Sequence, residues 1–253
     1  MTNTEPTARV RVSASAEHAA ADVAELNASL GELAGLVTST LGLPDVLARI
    51  ATFAARAIPG ADGAGVTLLR LDRADNIVEA LASSDPFVDD IDRVQYVTLN
   101  EGPCITAALE RRTVRSGSLG GEKQWPRFGP RVGRMGFHSA LSLPLLLPDQ
   151  VVGAINVYAR GKDVFDDHAA ELGELFATPA AVALTVQLQK ALSSRPVIDQ
   201  AIGLLRGRSG ATADEAFATL REMSQGENVK LIDIAQRMVD EAVRRARARH
   251  TQP

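Results

Sequence analysis

A single cysteine, Cys104, stands among the 253 residues. That excludes an intramolecular disulfide and any thiolate-cluster zinc site. Long apolar runs are missing as well: stretches such as 141–148 fall far short of the roughly 20 residues that span a bilayer, so no membrane partner is expected. The N-terminus is polar and lacks the apolar core of a signal peptide, which makes the cytoplasm the expected compartment. Net charge is small, −4, and argues against indiscriminate binding to polyanions. No nucleophile–base pair, phosphate loop or metal cluster stands out. His18, His138, His168 and His250 offer no compelling haem ligand. The expectation is a protein that is not an enzyme and carries no cofactor.

Apolar residues make up 45% of the chain, enough for a sizeable core and too many for a disordered protein. Charge is unevenly spread. Residues 191–253 hold 10 Lys/Arg against 8 Asp/Glu, and the preceding 190 residues hold 17 against 23. A slightly basic end on an acidic body suits a confined nucleic-acid surface.

That basic end reads as three short helices. Val197, Ile198, Ala201, Leu204 and Leu205 recur at helical spacing, and Gly210 closes the segment. Thr212 and Glu215 have the spacing of a capping box. The next helix should bury Ala216, Phe217, Leu220 and Met223. Asn228 is placed to cap a third, striped with Leu231, Ile234, Ala235, Met238, Val239 and Ala242. Loops this short fold amphipathic helices back into a bundle. The run 198–205 (Ile-Asp-Gln-Ala-Ile-Gly-Leu-Leu), with Asp214 to Phe217, Leu220, Arg221, Ser224, Gln225, Asn228, Lys230 and Leu231, resembles the ANTAR family. Those are RNA-binding output domains of bacterial antiterminators. Ile202 departs from the family, standing where many members carry a lysine.

Earlier in the chain, residues 1–21 read as a flexible tail. Amphipathic patterns follow through Val23, Leu26, Leu30, Leu33 and Val37, and then through Val46, Leu47, Ile50, Phe53, Ala54 and Ala57, with Pro59–Gly60 as a stop. The period then changes. Residues 65–71 and 77–82 read as strands around a turn at 72–76, 113–116 as a short strand, and 139–147 with 151–159 as a hairpin. Residues 105–110 look helical, 117–130 irregular and on the surface, and a long helix runs from about Asp166 toward Leu192. Pro179 should kink or open it, and Ser193–Ser194 before Pro196 should break it. Such an order suggests an α+β sandwich around an antiparallel sheet. Glu101 to Cys104, Trp125–Pro126, Gly136 to Ser139, Leu143 to Leu145 and Gly153 to Tyr158 resemble a GAF domain, most like those fused to ANTAR domains in actinobacteria. The expected division is a tail at 1–21, a GAF sensor at 22–190, an ANTAR domain at 191–248 and a flexible end at 249–253.

The resemblance implies a signal-responsive cytoplasmic regulator that binds paired hairpins in nascent RNA and prevents termination. It also implies a homodimer and a small-molecule or protein ligand for the GAF domain. Candidate RNA contacts are Arg195, Arg206, Arg208, Arg221, Ser224 and Lys230, with Gln225 beside them and Arg208 and Arg221 foremost. Arg244, Arg245, Arg247 and Arg249 would suit phosphates but also complement a helix dipole. Gly203 reads as a helix-packing position. Cys104, at a helix start, reads as a small buried hydrophobe or a redox sensor. Relatives that reduce methionine sulfoxide depend on several cysteines, which this chain lacks. The alternatives are a DNA-binding regulator and a protein-interaction module with a weakly active output domain.

Overall fold

The computed structural model describes residues 6–71 and 76–250. It divides into two compact units between Val186 and Gln187. The first is built on a five-stranded, wholly antiparallel sheet. Its strands are β1 (Gly63–Leu71), β2 (Asn76–Ser83), β3 (Val114–Ser116), β4 (Ser139–Leu146) and β5 (Val151–Ala159), in the order β2-β1-β5-β4-β3. Strands alternate their side chains between faces, and here the two faces differ in chemistry. One face carries Ala64, Val66, Leu68, Leu141, Leu143, Leu145, Ile155 and Val157, all buried. Helix α2 (Leu43–Ala57) packs its Val46, Ile50 and Ala54 stripe in this layer. The start of α6 (Asp167–Ser209) joins it: a Cβ on Gly173 would stand only 2.8 Å from Leu143. Outside α2 runs α1 (Pro6–Thr38), tied to it by Arg56, which pairs with Glu32 at 2.6 Å and Glu25 at 3.8 Å.

The opposite face is made of small or polar residues, among them Gly63, Gly65, Thr67, Ala140, Ser142, Ala154 and Asn156, with Tyr158 at one end. It is covered by α3 (Pro86–Asp92), a π-helical turn (Arg93–Leu99), α4 (Pro103–Glu110) and α5 (Phe128–Arg134). Asn100 ends the π turn in the left-handed region, at φ 49°.

The second unit is a three-helix bundle of the last turns of α6, α7 (Ala213–Glu227) and α8 (Leu231–His250). Ala201, Leu220, Ile234 and Ala235 form its buried centre, with Val197, Ile198, Ile202, Leu205, Met223 and Met238 packed around them. Gly210 adopts φ +71° after α6, and the Thr212–Glu215 capping box is formed.

Several expectations from the sequence are corrected. The stretch read as a tail is helical from Pro6; residues 1–5, 72–75 and 251–253 lie outside the described residues. Helix α6 runs without a break through Ser193, Ser194 and Pro196. Proline there removes one amide, while the two serine hydroxyls donate back to the carbonyls of Lys190 and Ala191 at 3.0 Å, a bonding pattern that helices accommodate. Residues 117–130 are an irregular segment exposed at Lys123, Gln124, Pro126 and Arg127, as expected, but it is anchored by buried Leu119, Trp125 and Phe128, and the Trp125 indole donates to Thr106 Oγ1 at 2.9 Å. By length and composition α6 could cross a bilayer, but half of its apolar window is buried within the protein.

Candidate nucleic-acid interface and sensor core

In the bundle, Arg195, Arg206 and Arg208 lie on α6, Arg221 on α7, and Lys230 just before α8, all exposed. None of the five makes an ion pair among the described residues, whereas Arg237 is held by Glu227 and Arg245 by Glu241. An unpaired cation keeps its full charge for a phosphate; a paired one must first give up its partner. Ser224 differs from the others. Its hydroxyl donates to the Val229 carbonyl at 2.6 Å, closing the α7–α8 turn. With its one proton used inside the fold, it has only lone pairs left, and phosphate accepts rather than donates.

The structure also changes the standing of four residues around these cations. Phe217 is not part of the core: it is 40% exposed, one helical turn before Arg221 on the same side of α7. The signal was available in the sequence, since Ala216 and Leu220 fill the buried stripe four residues apart and Phe217 falls one position off it. Gly203 is no packing position, because a Cβ there would meet nothing within 4 Å. Ile202 packs against the bundle centre, so the departure from lysine serves the core. Asn228 ends α7 in the left-handed region (φ 52°) rather than starting α8, a conformation asparagine tolerates better than most residues.

The sandwich holds a buried polar cluster on its small-residue face. The Ser142 hydroxyl donates to Asn156 Oδ1 at 2.8 Å, and Asn156 Nδ2 lies 3.4 Å from both Asp92 Oδ1 and the Tyr96 hydroxyl. Tyr96 in turn sits 3.0 Å from Thr67 Oγ1 and against Cys104 Sγ. Burial, with Asp92 adding to it, pushes the Cys104 thiol up to about 12 despite the hydrogen bond from Tyr96. A thiol held neutral and fully enclosed is a poor redox sensor, so Cys104 is the small buried hydrophobe of the two readings. Burial also raises Tyr96 and Tyr158 well above the usual phenol range. Nearby, Glu101 clamps the next segment: it accepts from the Arg127 and Phe128 amides at 2.8 and 3.0 Å and from Arg127 Nε at 2.9 Å. Among the described residues no group of three or more His, Cys, Asp or Glu side chains is placed to hold a metal ion.

An antiparallel sandwich with an enclosed polar face, followed by a capped three-helix bundle, defines an α+β chain of two domains. Family comparison agrees: residues 40–185 match the GAF domain model and residues 186–239 the ANTAR domain model. The chain belongs to the GAF family, and the segment that follows its GAF domain matches the ANTAR domain model. Among solved structures it is similar to the GAF domain of a phosphoenolpyruvate-protein phosphotransferase from Coxiella burnetii, at 13% identity and TM-score 0.51, over 66% of this chain and 97% of that one. It is also similar to a GAF sensor protein from Burkholderia vietnamiensis (15%, TM-score 0.49, 66% and 98%). A third is free methionine-R-sulfoxide reductase from Neisseria meningitidis in complex with its substrate (15%, 0.47, 65% and 91%). Identities this low speak to fold alone. No curated protein matches the chain.

Proposed function

We propose that this chain is a cytoplasmic, non-enzymatic regulator whose ANTAR domain binds paired hairpins in nascent RNA and prevents termination, under control of its GAF domain. The observation that carries this reading is the set of five exposed cations without ion pairs among the described residues, on a bundle with its own buried centre. Arg195, Arg206, Arg208, Arg221 and Lys230 supply phosphate contacts, with Arg208 and Arg221 foremost. Ser224 orders the turn between Arg221 and Lys230. Phe217 adds a flat apolar surface on which an unpaired loop base can stack, worth about 1–3 kcal/mol for such contacts. No bond is made or broken by the protein: occupying two neighbouring hairpins competes with formation of the terminator.

Two hairpins call for two readers. Leu175 and Val182, seven residues apart on α6, are 59% and 50% exposed, and that spacing favours pairing of helices from two protomers. Pro179 lies between them, and a signal taken up by the GAF domain would act on this pairing. Crosslinking the protein to RNA in cells, followed by sequencing of the bound fragments, tests the assignment. Recovered fragments should be enriched in tandem hairpins beside terminators. Enrichment of duplex DNA instead would replace the reading with that of a DNA-binding regulator.

A further inference from the structure

The polar cluster of the sandwich contains an arrangement that costs the fold stability. Asp92, the last residue of α3, is fully buried, and its Oδ2 has no hydrogen-bond partner. The other oxygen has only the 3.4 Å approach of Asn156 Nδ2. Two further buried polar atoms facing the same region, Gln95 Nε2 and the Tyr158 hydroxyl, are also without partners. The carboxyl is pressed onto the sheet where β1 has no side chain: a Cβ on Gly65 would stand 2.9 Å from Asp92 Oδ2. Immediately after it the backbone enters the π-helical turn, Arg93–Leu99, which ends at left-handed Asn100. Turns of this kind are inserted into helices at a cost in regularity and recur at functional positions.

We propose that Asp92 is a proton-operated latch: while its carboxyl is neutral, α3 and the π turn stay seated on the sheet, and loss of the proton releases them. The groups around it cannot welcome a charge. From α3 the charged neighbour acting on it is Asp89, of the same sign. The π turn presents Gln95 and Tyr96, α4 presents Cys104, and the sheet presents Thr67, Ser142, Asn156 and Tyr158. Burial, offset in part by the Asn156 hydrogen bond, raises the carboxyl from 3.8 to about 8. The sign follows from linkage. A seated form that binds its proton up to pH about 8 and a released form that loses it near 4 differ by one proton between those limits. Each rise of one pH unit in that window therefore favours release about tenfold, and the dependence levels off above it.

This proposal rests on the reading of residues 40–185 as the sensing unit, and its test contains no RNA, so it stands or falls separately from the hairpin assignment. Amide hydrogen exchange of the full-length protein would be measured at pH 6, 7 and 8 and corrected for the intrinsic rate. In the wild type, protection over residues 86–99 should fall about tenfold from pH 6 to 7 and about fivefold from pH 7 to 8, while β4, β5 and α2 hold theirs. In Asp92→Asn, which cannot ionise, protection of 86–99 should be flat with pH. Flat protection in the wild type, an equal fall in the variant, or a fall spread evenly through the sandwich would each overturn the latch. Should the variant fail to fold, the ¹³C shift of the Asp92 carboxyl in the wild type decides: a midpoint near 8 supports the proposal and one near 4 overturns it.

Discussion

Glu101 shows how one side chain can hold a loop. Its two oxygens take three donors from Arg127 and Phe128. Partial burial works against the charge, but the Phe128 and Arg127 amides and the Arg127 guanidinium together hold the carboxyl below its usual 4.5. A carboxylate lowered in this way stabilises the fold above its unfolded value, and the contribution is lost as pH falls through the folded one. Glu101→Gln should therefore destabilise the sandwich at pH 7 by about 1.5–3 kcal/mol, the range for hydrogen bonds to a charged group. Urea titrations at pH 7 and pH 3 check this: the gap between wild type and variant should be largest at pH 7 and shrink in acid. A gap that ignores pH would mean that the charge plays no part. At the same scale, Arg208→Ala and Arg221→Ala should each weaken RNA binding and reduce its salt dependence by roughly one unit of slope, with far-UV circular dichroism unchanged. Phe217→Ala should weaken binding without changing the slope.

Individual elements carry their own predictions and show where sequence patterns suffice. Gly203 is exposed on α6 with open space around it, so Gly203→Ala should slow hydrogen exchange in the last turns of α6 by a factor of about 2–5, as expected from relieving about 0.5–1 kcal/mol of helix-glycine cost. A packing role would give the opposite sign. The three helices of the bundle were legible because periodicity, the Gly210 stop and the Thr212–Glu215 box all point to the same boundaries. The hairpin β4–β5 was legible for a similar reason, as two apolar runs flank a turn. Local signals misled where they are ambiguous. Asparagine can begin a helix or end one, and Asn228 does the latter. Proline breaks a helix only if nothing else holds it, and around Pro196 the apolar spacing continues on both sides. Trp125 and Phe128 lie among glycines and prolines that suggest a loop, and only the tertiary fold shows that these two side chains anchor it in the core. The five cations were legible as candidates, but which arginines stay unpaired depends on acidic neighbours: Glu241 lies one turn from Arg245, and Glu227 reaches Arg237 across the α7–α8 turn. The Asp92 cluster is not legible in the sequence because its members lie on six separate elements.

Across the whole molecule, the chemistry is divided. The sandwich encloses neutralised polar groups and presents no assembled catalytic set among the described residues. The bundle keeps its charges outside, with Arg195, Arg206, Arg208, Arg221 and Lys230 free of ion pairs among the described residues. The proposed function would use that division, with one unit whose state changes and another that binds RNA. Fluorescence anisotropy of the full-length protein against a labelled two-hairpin RNA tests the claim most directly, beside a single hairpin and a duplex DNA of matching length at about 150 mM salt, where exposed charges farther apart than roughly 8 Å are screened. Tightest binding to the two-hairpin RNA, weakened tenfold or more by Arg208→Ala combined with Arg221→Ala, is the result predicted here. Equal affinity for the three nucleic acids, or an unchanged affinity in the double variant, would contradict it.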